Sequence, residues 1–169
     1  MKNNKVRKLA YSGIIAALYA VLTVAIAPLS YGGMQFRVSE LLVLFAFIDP
    51  IYIIGLTLGC FIANIFSPGG VMDMIFGTMA TFLSVGCITL TRNILKNNLR
   101  SLIIASLWPT IFNAIIVGYE LHMVFGVPLL LTMGQVAFSE FVIITIIGVP
   151  LFRAIPESLK QKFSLVNYK

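Results

Sequence analysis

Charge is what this sequence has least of. Of its 169 residues 11% are charged and 59% are hydrophobic, and the mean hydropathy is +0.99. A soluble domain is about a quarter charged and about half apolar. Charges this sparse cannot cover a globular surface in water, so lipid must replace water around much of the chain. Acidic residues are scarcer still, 6 against 12 Lys and Arg. There is a single histidine, His122, and the two cysteines, Cys60 and Cys87, fall inside apolar segments without metal-ligand spacing. These shortages leave no paired metal motif and no nucleophile–base pair, so neither an intramembrane enzyme nor a metal or cofactor is expected. The thiols read as small buried hydrophobes. A G-x-x-x-x-G-K-[ST] phosphate loop is also missing, so any use of ATP must come from another polypeptide.

What charge there is lies in clusters. Lys2, Lys5, Arg7 and Lys8 precede the first apolar run; Arg92, Lys96 and Arg100 share one internal break; Arg153, Lys160, Lys162 and Lys169 close the chain. Only Arg37 stands apart. A nucleic-acid binder gathers its bases on one folded face, whereas these flank apolar segments as cytoplasmic loops do. The net charge of +6 therefore reports topology and requires no polyanionic partner. The N-terminus resembles a signal peptide in its basic lead and apolar run. No small-residue cleavage site follows, however, and residues 9–27 match the roughly 20 needed to span a bilayer. A retained first helix is expected.

Six apolar segments predict an all-α integral membrane protein in one domain, with helices over residues 9–27, 36–48, 51–66, 71–91, 101–119 and 131–152. Pro28 and the Ser30-Tyr31-Gly32-Gly33 loop close the first. The second needs the polar string Gln35 to Glu40 to reach full length. Asp49-Pro50 suits an N-cap with proline at the first helical position, and Ser67-Pro68-Gly69-Gly70 is a strong turn signal. Pro109 should kink the fifth helix, and residues 120–130 read as an outer loop. With both termini cytoplasmic, six crossings put every basic cluster inside and leave Arg37 outside.

A charged side chain near mid-bilayer costs roughly 2.5–3.5 kcal/mol on insertion scales, so those that persist are paired, hydrated or functional. Here they are Arg37, Glu40, Asp73, Glu120 and Glu140, with neutral Gln35, Asn64, Asn113 and Gln135. In the deduced topology nearly all fall in the outer half. Asn113 and Glu120, seven apart, share a helix face, with Trp108, Phe112 and Tyr119 on the same helix. An outward-facing cavity of carboxylates, amides and rings is the expectation; carboxylates accept from N–H-rich or cationic solutes and rings stack on planar ones. Plainer readings stand beside it. Arg37 and Glu40 are spaced for an ion pair on a helix turn, Asp73 for a helix N-terminus, and Trp108 for packing at a kink. His122 reads as a solvated loop residue. Glu120 and Glu140 lack obvious partners and read as functional. In the first helix Ser12, Ala16 and Ala20 form one small row with Gly13 and Ala17 beside it, suited to internal packing or to docking another membrane subunit.

Three strings, Gln35-Phe36-Arg37-Val38-Ser39-Glu40, Ile62-Ala63-Asn64 with Gly70-Val71-Met72-Asp73, and Asn113 through Leu121, together with Ser139-Glu140, resemble the queuosine-precursor transporter (QueT) family. The resemblance runs from the first helix to Arg153. It implies the substrate-binding S component of an energy-coupling-factor (ECF) transporter in the cell membrane. Such a component binds its solute outside and docks on a transmembrane coupling subunit that works with two ATPase subunits. It implies docking through Ser12, Gly13, Ala16, Ala17 and Ala20, although many relatives carry alanine where this chain has Ser12 and Gly13. The implied cargo is a 7-deazaguanine, such as the 7-aminomethyl form or queuine, met by Gln35, Arg37, Glu40, Asn64, Asp73, Trp108, Asn113, Tyr119, Glu120 and Glu140. An S component for riboflavin, thiamine or another purine-like solute remains an alternative, as does a stand-alone proton-coupled transporter using Glu120 or Glu140.

Overall fold

Proline and glycine set most of the breaks between elements. A computed structural model describes residues 2–164, and all of its regular structure is helical. Helix α1 (Lys2–Ala25) is followed by a four-residue helix, α2 (Ala27–Ser30), with Pro28 in its first turn. There the missing proline N–H has no intrahelical partner to lose, so Pro28 starts a helix as readily as it stops one. Residues 31–37 then lead into a 3₁₀ segment, Val38–Phe47. Next come α3 (Tyr52–Asn64), α4 (Val71–Leu95) and α5 (Leu99–Phe125). A final apolar helix, Leu129–Ala154, is built from α6 (Leu129–Glu140), a π-helical stretch (Phe141–Gly148) and α7 (Val149–Ala154). The short α8 (Glu157–Phe163) follows Pro156.

Three of these helices are long and apolar enough to cross a membrane: Val71–Leu95, Leu99–Phe125 and Leu129–Ala154. The apolar helices Leu9–Ala25, Val38–Phe47 and Tyr52–Asn64 are shorter. Apolar side chains such as Ile14, Phe82, Ile115 and Ile146 are exposed around the bundle, as lipid requires. The chain is a membrane protein of α-helices.

Four local expectations need correction. The second predicted helix is a 3₁₀ segment of 10 residues. Runs beyond three or four residues are uncommon; at about 2.0 Å per residue this one reaches about 20 Å, as deep as the 13 residues of α3. The fifth helix does not stop at Tyr119. It runs to Phe125 and ends at Gly126, whose φ of 67° allows its N–H to bond the His122 carbonyl at 3.0 Å. Polar residues suggested a loop, but the chain turns only where glycine permits it. His122 accordingly lies in α5 and bonds the Val127 carbonyl oxygen through Nδ1 at 2.7 Å. The basic tail also forms α8, held by the Tyr52 hydroxyl donating to the Phe163 carbonyl at 2.9 Å; Lys169 lies outside the described residues.

The main apolar core joins α1, the 3₁₀ segment, α3, the end of α4, the start of α5 and the π-helical stretch. A smaller cluster, Ala80, Val117, Leu121 and Val136, lies between α4, α5 and α6. Ser12 and Ala16 of α1 pack onto Gly55 and Gly59 of α3. Ser12, Ala16 and Ala20 are thus buried within the chain, while Gly13 and Ala17 are exposed on the outer side of α1.

Candidate functional site

One helix end after another delivers a polar side chain to the same interior. The loop before the 3₁₀ segment supplies Gln35 and Arg37, and the segment itself supplies Glu40. Asn64 ends α3, Asp73 opens α4, Asn113 and Glu120 lie on one face of α5, and Glu140 ends α6. All eight are at most 5% exposed. Sequence spacing of seven puts Asn113 and Glu120 on one face, and burial of both agrees.

Part of this cluster is held by its own bonds. The Tyr19 hydroxyl donates to Glu40, and Thr23 and Ser39 share a bond of 2.6 Å beside it. Asn113 Nδ2 donates to Glu140 Oε1 at 2.9 Å. Asn64 Nδ2 donates to the Asp73 carbonyl at 2.9 Å, and the Ser67 hydroxyl donates to the Asp73 carboxylate. Arg37 Nε donates to the Ser30 carbonyl at 3.3 Å, with the guanidinium 5.6 Å from the centre of the Tyr31 ring. Tyr31 in turn donates to the Ala63 carbonyl at 2.6 Å, tying the 31–37 loop to α3. Gly77 of α4 leaves the space this needs: a Cβ there would lie 2.6 Å from Asn64 Nδ2 and 3.9 Å from Arg37 Nη1.

Other atoms of the cluster meet no donor or acceptor of the usual kind. Oε2 of Glu40 and of Glu140, Oδ1 of Asp73 and of Asn64, Nη2 of Arg37 and both oxygens of Glu120 are buried in this way, the Glu120 carboxyl lying against that of Asp73. A buried polar group left unmatched costs about 1–3 kcal/mol, more when charged. Such atoms are few in native proteins and carry an explanation where they gather. Electrostatically one guanidinium is shared: Arg37 acts on Glu40, Asp73, Glu120 and Glu140 alike. Arg37 and Glu40 interact as charges but form no ion pair within 4.0 Å. Nearly all the unmatched atoms are acceptors, and the carboxyls outnumber the cation.

Two residues expected here are elsewhere. Trp108 Nε1 donates to Thr91 Oγ1 at 2.8 Å, toward the far end of α4, and its ring stacks on Phe112 with centroids 5.9 Å apart. Tyr119 is 47% exposed on the outside of the bundle. The rings that reach the cluster are Tyr19 and Tyr31. Sequence reasoning missed both, along with Ser67, because a tyrosine in an apolar helix and a serine in a turn are ordinary. Cys60 is more than a small hydrophobe: Thr81 Oγ1 donates to its sulfur at 3.1 Å and Asn64 Nδ2 at 3.4 Å. Cys87 is a half-buried free thiol.

Comparison with known proteins places the chain in a family. Residues 9–157 match the family model of the QueT transporter. The chain is similar to the "Queuosine precursor transporter QueT" of Lactococcus lactis subsp. cremoris (strain MG1363), with 38% identity over 151 residues that cover 83% of this chain and 88% of that one. No solved structure matches. The chain belongs to the QueT transporter family, and its work is transport and not catalysis.

Proposed function

We propose that this chain is the substrate-binding S component of an ATP-driven ECF importer that takes up a queuosine precursor, a 7-deazaguanine such as 7-aminomethyl-7-deazaguanine or queuine. The observation that carries the reading is the buried group of unmatched acceptors around Arg37. The similarity to a relative named as a queuosine precursor transporter supports the cargo. Six helices cross the cell membrane in this reading, the three shorter ones deepened by their polar ends, with both termini in the cytoplasm. The loops 31–37 and 65–70 and the α5–α6 turn then face outward, and the solute enters past Tyr31 and Gln35. A transmembrane coupling subunit and two ATPase subunits supply the energy, since the chain has no phosphate-binding loop of its own.

Calorimetric titration of the purified chain with 7-aminomethyl-7-deazaguanine, riboflavin and thiamine tests the cargo. Submicromolar binding of the deazaguanine alone is expected; binding of a vitamin alone would reassign the cargo. Docking narrows to the face of α1 that carries Gly13 and Ala17, the small residues left exposed. Replacing both with leucine should stop uptake in cells while leaving binding intact, and normal uptake would remove that face. A second reading has the same carboxyls in its favour: a proton-coupled transporter using Glu120 or Glu140. Uptake by the chain alone in liposomes under an imposed pH gradient would establish it.

A further inference from the structure

At the end of the bundle away from Arg37, a cavity of about 460 Å³ opens between the start of α1 and the short α8. Arg7 and Tyr11 line it from one side, and Ser158, Gln161 and Lys162 from the other. Its volume falls within the roughly 300–1,000 Å³ of small-ligand sites. Two of the lining side chains are cations, none is acidic, and the rest carry hydroxyl or amide donors. Among the described residues Arg7 and Lys162 have no ion pair and no side-chain hydrogen bond. Lys160, on the same helix, differs: it pairs with Glu157 at 2.9 Å and lies 4.9 Å from the centre of the Phe152 ring.

The wall that carries Lys162 is fixed in place. A helix of 7 residues is too short to hold itself, and α8 is held by its last residue. The Phe163 carbonyl accepts from the Tyr52 hydroxyl at 2.9 Å, and the Phe163 ring meets Tyr11 and Phe45 edge-on, each with centroids 5.9 Å apart. Tyr11 thus lines the cavity and also anchors the wall opposite. Arg7 stands just ahead of the apolar stretch Leu9–Ala25, and α8 follows closely on the apolar helix Leu129–Ala154. The cavity therefore lies where the bilayer meets water, and Val6, Leu9 and Leu159 are exposed on the two helices that form it.

We infer that this cavity binds the headgroup of an anionic phospholipid, with Arg7 and Lys162 meeting the phosphate charge and Tyr11, Ser158 and Gln161 donating to its oxygens. Charge-assisted bonds from a guanidinium and an ammonium are the strong contacts available to a phosphate, and basic pockets between helix ends take such headgroups. A zwitterionic lipid brings a second charge, a cation, for which the lining has no acid. A soluble phosphate lacks the acyl chains that the exposed apolar side chains beside the cavity can cover. The lipid would join α1 to α8 across the two cations. Its leaflet is the cytoplasmic one in the topology proposed above, while the site itself depends on neither that topology nor the cargo.

Calorimetric titration of the purified full chain in an uncharged detergent tests the site, with short-chain phosphatidylglycerol, short-chain phosphatidylcholine and inorganic phosphate as probes. The phosphatidylglycerol should bind at least about tenfold more tightly than either of the others. Arg7→Gln combined with Lys162→Gln should erase most of that preference. Both positions are exposed, so the thermal unfolding midpoint without lipid should stay where it is. Arg100→Gln combined with Arg153→Gln removes the same charge from exposed positions outside the cavity and should change the affinity by less than about threefold. Phe163→Ala keeps both cations but releases α8, and the affinity should fall about as far as in the first pair. Equal binding of the two lipids overturns the inference, and so does an equal loss in the two double variants, which would mean diffuse surface charge. Inorganic phosphate binding as tightly as the lipid would make the ligand a soluble anion. Full affinity in Phe163→Ala would show that the two cations act without the cavity, and overturns it as well.

Discussion

Arg37 and Arg92 occupy opposite ends of the molecule in outwardly similar settings. Each guanidinium lies near an aromatic ring, Tyr31 at 5.6 Å and Phe47 at 5.8 Å. Each donates to one backbone carbonyl, Ser30 at 3.3 Å and Ile48 at 2.7 Å. Their surroundings differ. Arg92 sits half-buried in the last turn of α4, where a cation complements the helix dipole and the main apolar core begins. Arg37 is buried before the 3₁₀ segment among four carboxyls, with Nη2 unmatched. The first arginine closes a structural account and the second leaves one open. In lipid, where an unmatched charge is most costly, that contrast is the ground for the binding role proposed for Arg37.

Substitutions can break or sharpen the contrast. The largest effect is expected for Arg37→Gln, which should weaken 7-aminomethyl-7-deazaguanine by about a hundredfold, about 2.7 kcal/mol, in calorimetric titration. Glu120→Gln comes next, with a loss of more than about tenfold in the same titration; unchanged affinity would remove it from the site. Arg92→Gln should leave ligand affinity alone and lower stability in detergent by about 1–3 kcal/mol, read as an earlier thermal unfolding midpoint. A loss of binding there without a loss of stability would dissolve the comparison. Trp108→Phe removes the bond to Thr91 and part of the stack on Phe112, so at least about 1 kcal/mol of stability and no affinity should go. Tyr119→Phe should change neither quantity, since its side chain faces outward.

Much of this division is legible in the chain itself. The cost of charge in lipid singles out Arg37, Glu40, Asp73, Glu120 and Glu140 without any structure, and all five gather in one interior. Proline and glycine signals locate the break at Ser67 through Gly70, whereas Pro28 lies in the first turn of α2 and the first helix ends before it, at Ala25. Rotation about a helix axis is harder to read. Tyr119 and Glu120 are adjacent and hence about 100° apart on the helix, so once Glu120 faces inward Tyr119 cannot share its direction. Trp108 draws notice for its ring, yet its indole N–H is matched by Thr91 far from the acids. The end of α5 is hard to place because polarity imitates a loop when its partners come from other helices. Tyr19 carries no sequence signal at all; only the packing of α1 onto the 3₁₀ segment brings its hydroxyl to Glu40.

That 3₁₀ segment also stores a distance. Glu40 stands near its start and Phe47 at its end, so it runs from the polar site into the main apolar core. Rewound as an α-helix, at 1.5 Å per residue in place of about 2.0 Å, its 10 residues would shorten by about 5 Å. The wider rise of this one segment sets how far the carboxylate of Glu40 at one end stands from the ring beneath Arg92 at the other.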